Sequence, residues 1–151
     1  MAPLSRSTIP LGEQLYWWRT HHQWSRRQLA ERAGIAISTL QSLEAGRGTL
    51  TYYITALRAL GLKLHAAGLG NRNLGTALVH ERTQQTISRR ELARHLAVSR
   101  TTLAKLDSNR SVRLATIEAY AQSIGVRLIV RPITGHPTPR RPRVRTKKPV
   151  H

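Results

Sequence analysis

The 151-residue sequence predicts a mainly α-helical protein: two tandem four-helix units, each followed by a short β-strand, and a disordered basic C-terminal tail. Three observations carry this expectation. The stretch Ser25–Gly46, SRRQLAERAGIAISTLQSLEAG, returns 63 residues later as Ser88–Asn109, SRRELARHLAVSRTTLAKLDSN. Within each copy the apolar residues recur at helical spacing between cap and turn signals. From Pro132 onward the chain turns to Pro, Arg and Lys with almost nothing apolar.

Pairing residues 11–48 with 74–111 leaves 14 of 38 positions identical, among them Leu11, Gly12, Leu15, Arg19, Ser25, Arg26, Arg27, Leu29, Leu40 and Leu43. Beyond Arg47 the register slips by one, so that Leu50, Leu60, Gly61 and Leu64 match Leu114, Ile124, Gly125 and Leu128. The reading is a duplication in which one residue was gained in a loop, where insertions are tolerated.

Charge is the most informative bulk property. There are 25 Lys and Arg against 7 Asp and Glu, a formal +18, and the isoelectric point is about 11.9. Without the six basic residues beyond Pro132, 19 remain against the same 7 acids, so the folded part is itself basic. Counterion release from nucleic acid is the simplest use for such a surface; an anionic membrane is more often met by a basic amphipathic helix with a broad apolar face. The absence of cysteine excludes disulfides and thiolate metal sites. No apolar run is long enough to span a membrane, and residues 1–10, MAPLSRSTIP, lack the apolar core of a signal peptide. The expected location is the bacterial cytoplasm, at the nucleoid. Units of about 60 residues are near the lower limit for an independent core, so the copies are expected to lean on one another.

In chain order, residues 1–10 read as a flexible arm carrying Pro3 and Pro10. The first unit spans residues 11–67. Helix 1 runs from Leu11 to about His22 with Leu11 and Leu15 inward; Tyr16, Trp17 and Trp18 are consecutive, 100° apart, and cannot share one buried face. They are candidates for an interface, or for covering a small core. His21 and His22, at the helix end, read as solvated. Ser25 precedes a helical run and its hydroxyl can cap it; Leu29, Ala30 and Ala33 form its apolar stripe, and Gly34 tolerates the left-handed backbone past its end. A second short helix follows from Ala36 to about Ala45, with Leu40 and Leu43 inward. Two short helices about a glycine turn make a helix-turn-helix. A fourth helix, Leu50 to Leu60, ends at Gly61. Leu62–Ala66 then alternates in the period of a strand, as does Val126–Val130 after Gly125. A lone strand is unstable, so the two pair with each other or with another chain; pairing within the chain is favoured because it has no association cost. Residues 68–73, GLGNRN, read as a linker. The second unit, 74–131, opens with a helix from Leu74 to about Gln84, and residues 132–151 form the basic tail.

The run Ser-Arg-Arg-Gln-Leu-Ala…Ala-Gly-Ile…Ser-Thr-Leu…Leu-Glu-Ala-Gly of residues 25–46 resembles the phage Cro and cI repressor family, also called the XRE family. The resemblance covers residues 11–67 well and 74–131 less closely. It implies lambda-repressor-like helix-turn-helix units and a transcriptional regulator of double-stranded DNA. The strand after each fourth helix is similar to that of antitoxin-type members, where it serves dimerisation. By resemblance, base readout falls to Ala36, Ile37, Ser38 and Ser42 in the first unit and to Ser99, Arg100, Thr101 and Lys105 in the second. Phosphate contacts fall to Ser25, Arg26, Arg27 and Arg47, and to Ser88, Arg89, Arg90 and Arg110. The family's pairing of a helix 1 arginine with the acid closing the recognition helix maps onto Arg19 with Glu44 and Arg82 with Asp107, as structural ion pairs. Ala97 replaces the turn glycine Gly34, and Asn109 replaces Gly46, so the second turn is the weaker match.

The two outward faces differ in kind. Short hydroxyls and methyls in the first suit thymine methyls, whereas Arg100 can make a two-pronged pair with guanine. An enzyme is not expected, because no acid–base pair or nucleophile constellation is evident. Neither a cofactor nor a small-molecule ligand is indicated. Double-stranded DNA is the expected partner, with a homodimer or a protein partner as further candidates. The rival reading is an antitoxin-like or co-regulatory protein that binds a protein through Tyr16–Trp18 and autoregulates through DNA.

Overall fold

Four helices and a strand, α1 (Leu11–His21), α2 (Arg26–Ala33), α3 (Ile37–Glu44), α4 (Leu50–Ala59) and β1 (Leu62–Ala66), are followed by the same order again. The second series is α5 (Leu74–Gln84), α6 (Arg89–Leu96), α7 (Arg100–Asp107), α8 (Leu114–Ser123) and β2 (Leu128–Pro132). The structure, a computed structural model, describes residues 9–70, 72–108 and 111–133. Most of the expected arm, Arg110 and nearly all of the expected tail lie outside the described residues.

Local signals place most boundaries. Ser25 caps α2 by accepting from the Gln28 N–H at 3.1 Å, and Gln28 returns a bond to the Ser25 N–H at 2.9 Å, closing a capping box. Ser88 and Ser99 cap α6 and α7 by accepting from the Glu91 and Thr102 N–H groups, and Asn73, the last residue of the expected linker, caps α5. Gly34 ends α2 at φ 70°; Ala97, its counterpart, ends α6 at φ 54° with the same pattern of end bonds, a strained choice for a residue with a Cβ. Gly12 has a different task. A Cβ there would lie 2.5 Å from the Glu44 carbonyl oxygen and 2.7 Å from the Gly46 nitrogen, so α1 crosses the end of α3 only because position 12 is bare.

One apolar cluster runs through both halves. Leu15, Leu29, Leu40, Leu43, Tyr53 and Leu57 fill the first, and Leu78, Leu92, Leu103, Leu106, Ile117 and Tyr120 fill the second. Leu62, Ala66, Leu128 and Val130 join them through the inward face of the sheet.

The strands pair antiparallel within the chain, Leu62 opposite Pro132 and Ala66 opposite Leu128. β1 lies where the alternation puts it. β2 begins two residues later than expected, at Leu128 rather than Val126, and extends into the expected tail. The Val126 N–H is still engaged by the end of α8, donating to the Ala121 carbonyl at 2.9 Å, so the chain is not free to extend until it has passed that turn. Pro132 fits because Ile133 and Gly61, one position along, make the cross-strand bond, and the nitrogen of Pro132 faces away from β1.

Two pairs define a geometric relation between the halves. His65 lies opposite Ile129, and Thr49 bridges Arg113. Each partner is 64 residues from the other, the offset of the sequence repeat after its slip. Positions 64 residues apart thus face each other at two places. The first sits in the sheet; the second joins the loops that follow α3 and α7, sealed by Leu50 N–H to the Val112 carbonyl at 2.7 Å and Leu114 N–H to the Gly48 carbonyl at 3.0 Å. Helices α4 and α8 run from the bridge to the sheet, so the two pairs stand at opposite ends of these helices.

Gln14 has no counterpart in the second half. It sits on the inward face of α1 and is buried, and its Nε2 donates to the Leu128 carbonyl at 2.8 Å while its Oε1 accepts from the Val130 N–H at 2.9 Å. A side chain thus completes the outer edge of β2. The equivalent position in α5 is Ala77.

Candidate nucleic-acid interface

The first turns of α3 and α7 carry the residues expected to read bases. Ala36, Ile37 and Ser38 are exposed at the start of α3, Ile37 at 40%, and Ser42 is half-buried one turn on. Arg100, Thr101 and Lys105 are exposed on α7. Ser99 is also exposed, but its hydroxyl accepts from the Thr102 N–H at 3.0 Å and lies 2.9 Å from the Thr102 hydroxyl. Its hydrogen-bonding capacity is therefore largely spent on the cap. Ser25 and Ser88, expected at phosphates, are caps too: each hydroxyl oxygen accepts one N–H of the first turn, and the Ser88 hydroxyl also lies 3.2 Å from Glu91 Oε1.

Below these turns lie the acid–arginine clusters. Arg19 donates from Nε to Glu44 Oε2 at 2.7 Å, from a terminal nitrogen to Oε1 at 2.9 Å, and to the Trp24 carbonyl at 2.9 Å. With both side chains almost fully buried, the pair holds α1 against the end of α3. In the second half Arg82 reaches Asp107 at 3.4 Å and the Ile87 carbonyl at 3.0 Å. The same carboxylates hold a second arginine each: Arg26 Nε lies 3.2 Å from Glu44, and Arg89 Nε lies 3.2 Å from Asp107. Arg26 and Arg89 are thus tethered at one nitrogen while remaining about half exposed, which aims their guanidinium groups from the starts of α2 and α6. Arg27, Arg47 and Arg90 are exposed, and Arg27 stands 4.0 Å from Glu31, a solvent-screened pair of little weight. Arg110 lies outside the described residues.

A separate surface lies on α1. Tyr16 and Trp17 are half exposed, and with Ile9, Glu13, Gln14 and Trp18 they line a groove of about 700 Å³. Trp17 stacks on His21 at 4.5 Å, and Trp18 stacks on His22 at 5.6 Å. His22 is not solvated as expected: its Nε2 is buried without a hydrogen-bond partner among the described residues, and burial, with His21 alongside, lowers its pKa.

Sequence reasoning missed Gln14 and Tyr120. Gln14 had a signal, a lone polar residue on the Leu11–Leu15 face where the repeat has Ala77. Tyr120 had one too, since it replaces Ala56 where Asp107 replaces Glu44.

Residues 15–65 match the helix-turn-helix family model, from the second turn of α1 to the middle of β1. That match supports a DNA-binding regulator of the XRE type. No curated protein and no solved structure matches the chain. Among the described residues, no helix is long and apolar enough to cross a membrane.

Proposed function

We propose that the chain is a sequence-specific double-stranded DNA-binding transcriptional regulator in which α3 and α7 read two unlike half-sites of one operator. One observation carries this reading: Thr49 faces Arg113 and His65 faces Ile129, each pair 64 residues apart, which supports a two-fold relation between the two helix-turn-helix segments, the relation that dimeric readers need to meet successive major grooves about 34 Å apart. The chain then acts as a covalent pseudo-dimer. α3 presents Ile37 and short side chains to thymine methyls; α7 presents Arg100 to guanine and Lys105 to guanine or phosphate. Arg26 and Arg89 position the duplex from two helix starts. This is binding, not catalysis, and a site at the nucleoid goes with it. Selection from random duplex DNA, with the stoichiometry measured on the selected site, tests it. Two unlike half-sites bound by one chain are expected; a single half-site, or a palindrome needing two chains, overturns it.

The exposed groove at Ile9, Tyr16 and Trp17 favours a second role, in which a protein partner docks on α1 and the DNA contact autoregulates. A copurifying partner lost in Trp17→Ala supports it, and a partner retained by that variant removes it.

A further inference from the structure

We propose that the outward face of the β1–β2 sheet is a second DNA site, which holds the phosphate backbone of another duplex while α3 and α7 hold the first. The inference rests on the reading of α3 and α7 as the first site and adds a second, remote from them.

Alternation assigns the two faces of the sheet. Leu62, Ala66, Leu128 and Val130 are buried against the helices, so Lys63, His65, Arg127, Ile129 and Arg131 point the other way. Three permanent cations and a histidine thus share a face two strands wide. Lys63 lies directly across from Arg131, a like-charge pairing that weakens a sheet unless an anion relieves it. Neither Lys63, Arg127 nor Arg131 makes an ion pair among the described residues. His65 feels the uncancelled field: after burial, Arg131 and Lys63 are what push its pKa down.

Charge also selects the occupant. Residues 1–12, 45–80 and 119–151 contain no Asp or Glu, so these segments bring no carboxylate side chain to neutralise the face. A second copy, at +18, is repelled by it. Position separates it from the first duplex. The loops that follow α3 and α7 meet at the Thr49–Arg113 bridge, and the sheet lies at the far end of α4 and α8, ten residues or about 15 Å away. The sheet is thereby set apart from the loops that follow α3 and α7. The chemistry required is a row of phosphates, without base readout.

The test uses the full chain. A tethered duplex carrying the selected site is saturated with protein, and capture of a second, fluorescent duplex is measured. Wild type is expected to capture it, with a log–log salt slope of about −2.7, from about 0.9 for each of three cations. The triple variant K63Q/R127Q/R131Q should capture at least tenfold less while binding the tethered duplex within threefold of wild type. R127K/R131K, which keeps the charge, should still capture. Capture retained by the triple variant overturns the proposal and assigns bridging to the chain ends or to contact between copies. Capture lost in both variants overturns it as well, since charge is then not the cause. Wild type that binds the tethered duplex and captures nothing refutes this site alone, whereas wild type that binds no duplex refutes the reading of α3 and α7 too.

Discussion

The Tyr120 hydroxyl donates to Asp107 Oδ1 at 3.1 Å while it accepts from Arg82 Nε at 3.0 Å. In the first half no such bridge is needed. Glu44 reaches Arg19 with both oxygens, and the position of Tyr120 holds Ala56. Asp107 is one methylene shorter, its direct contact with Arg82 stretches to 3.4 Å, and the tyrosine hydroxyl occupies the gap. The shorter acid at Asp107 and the hydroxyl of Tyr120 thus compensate one another.

Tyr120→Phe should therefore destabilise the fold by about 1–2 kcal/mol, because it strips a partner from two nearly buried charged groups. Chemical denaturation reads this directly. Burial, with Asp107 adding to it, pushes the Tyr120 pKa up to about 12. The fold favours the neutral phenol, so its stabilising contribution is intact below pH 10 and declines as pH rises from 10 towards 12. The alkaline loss should be smaller in the phenylalanine variant, with Tyr53, whose pKa is also raised, accounting for what remains.

Gln14→Ala leaves the Leu128 carbonyl and Val130 N–H without partners beside the core, at about 1–3 kcal/mol for each buried group. Hydrogen exchange should show the Val130 amide losing protection before amides of α2 or α6. Equal loss of protection across all helices would mean that Gln14 supports the whole core and not the strand edge.

Ala97 holds the left-handed conformation that Gly34 holds at no cost. Ala97→Gly should raise stability by about 0.5–1 kcal/mol, and Gly34→Ala should lower it by about 1 kcal/mol, since a Cβ at residue 34 meets nothing and only the backbone objects. Opposite shifts in thermal midpoint are the expected signature.

Arg100→Ala should relax preference at one guanine position, by about 1–3 kcal/mol of discrimination, with random DNA bound nearly as before. Arg26→Ala should weaken all sequences alike. It also takes one of two arginines from Glu44, so its melting temperature is to be measured beside its affinity. Equal losses on specific and random DNA from both variants would refute this division of labour.

Acid should destabilise the protein before its carboxylates protonate. His22 and His65 both have lowered pKa values, the first mainly through burial and the second through burial with Arg131 and Lys63 nearby. Folding favours their neutral forms, so this contribution is present above about pH 6.5 and is lost as pH falls below it. His22→Gln and His65→Gln should each flatten the decline in stability between pH 6.5 and 5.

Much of the helical layout was legible because caps and apolar spacing are local: Ser25, Ser88, Gly34 and Leu74 set boundaries within a residue or two. The strand β2 was not, since its start depends on how far the end of α8 holds Val126, a matter of three-dimensional winding. Among the site residues, exposure of Ile37, Arg100 and Lys105 follows from helical periodicity alone. The second roles of Ser99, Arg26 and Arg89 did not, because they depend on which nearby group claims a hydroxyl or guanidinium first. Gln14 and Tyr120 were hidden for a related reason. Gln14 acts on Leu128 and Val130, more than a hundred residues away, and Tyr120 joins Asp107, 13 residues away, to Arg82, 38 residues away.

The pairing of β1 with β2 has a consequence for dose. In a two-chain reader the dimer dissolves on dilution, and occupancy of an operator rises with the square of protein concentration below the dissociation constant. Here Leu62–Ala66 and Leu128–Pro132 belong to one polypeptide, and their sheet persists at any concentration. Where one chain fills both half-sites, as proposed, occupancy follows concentration to the first power, and a cell holding very few copies presents every one of them assembled.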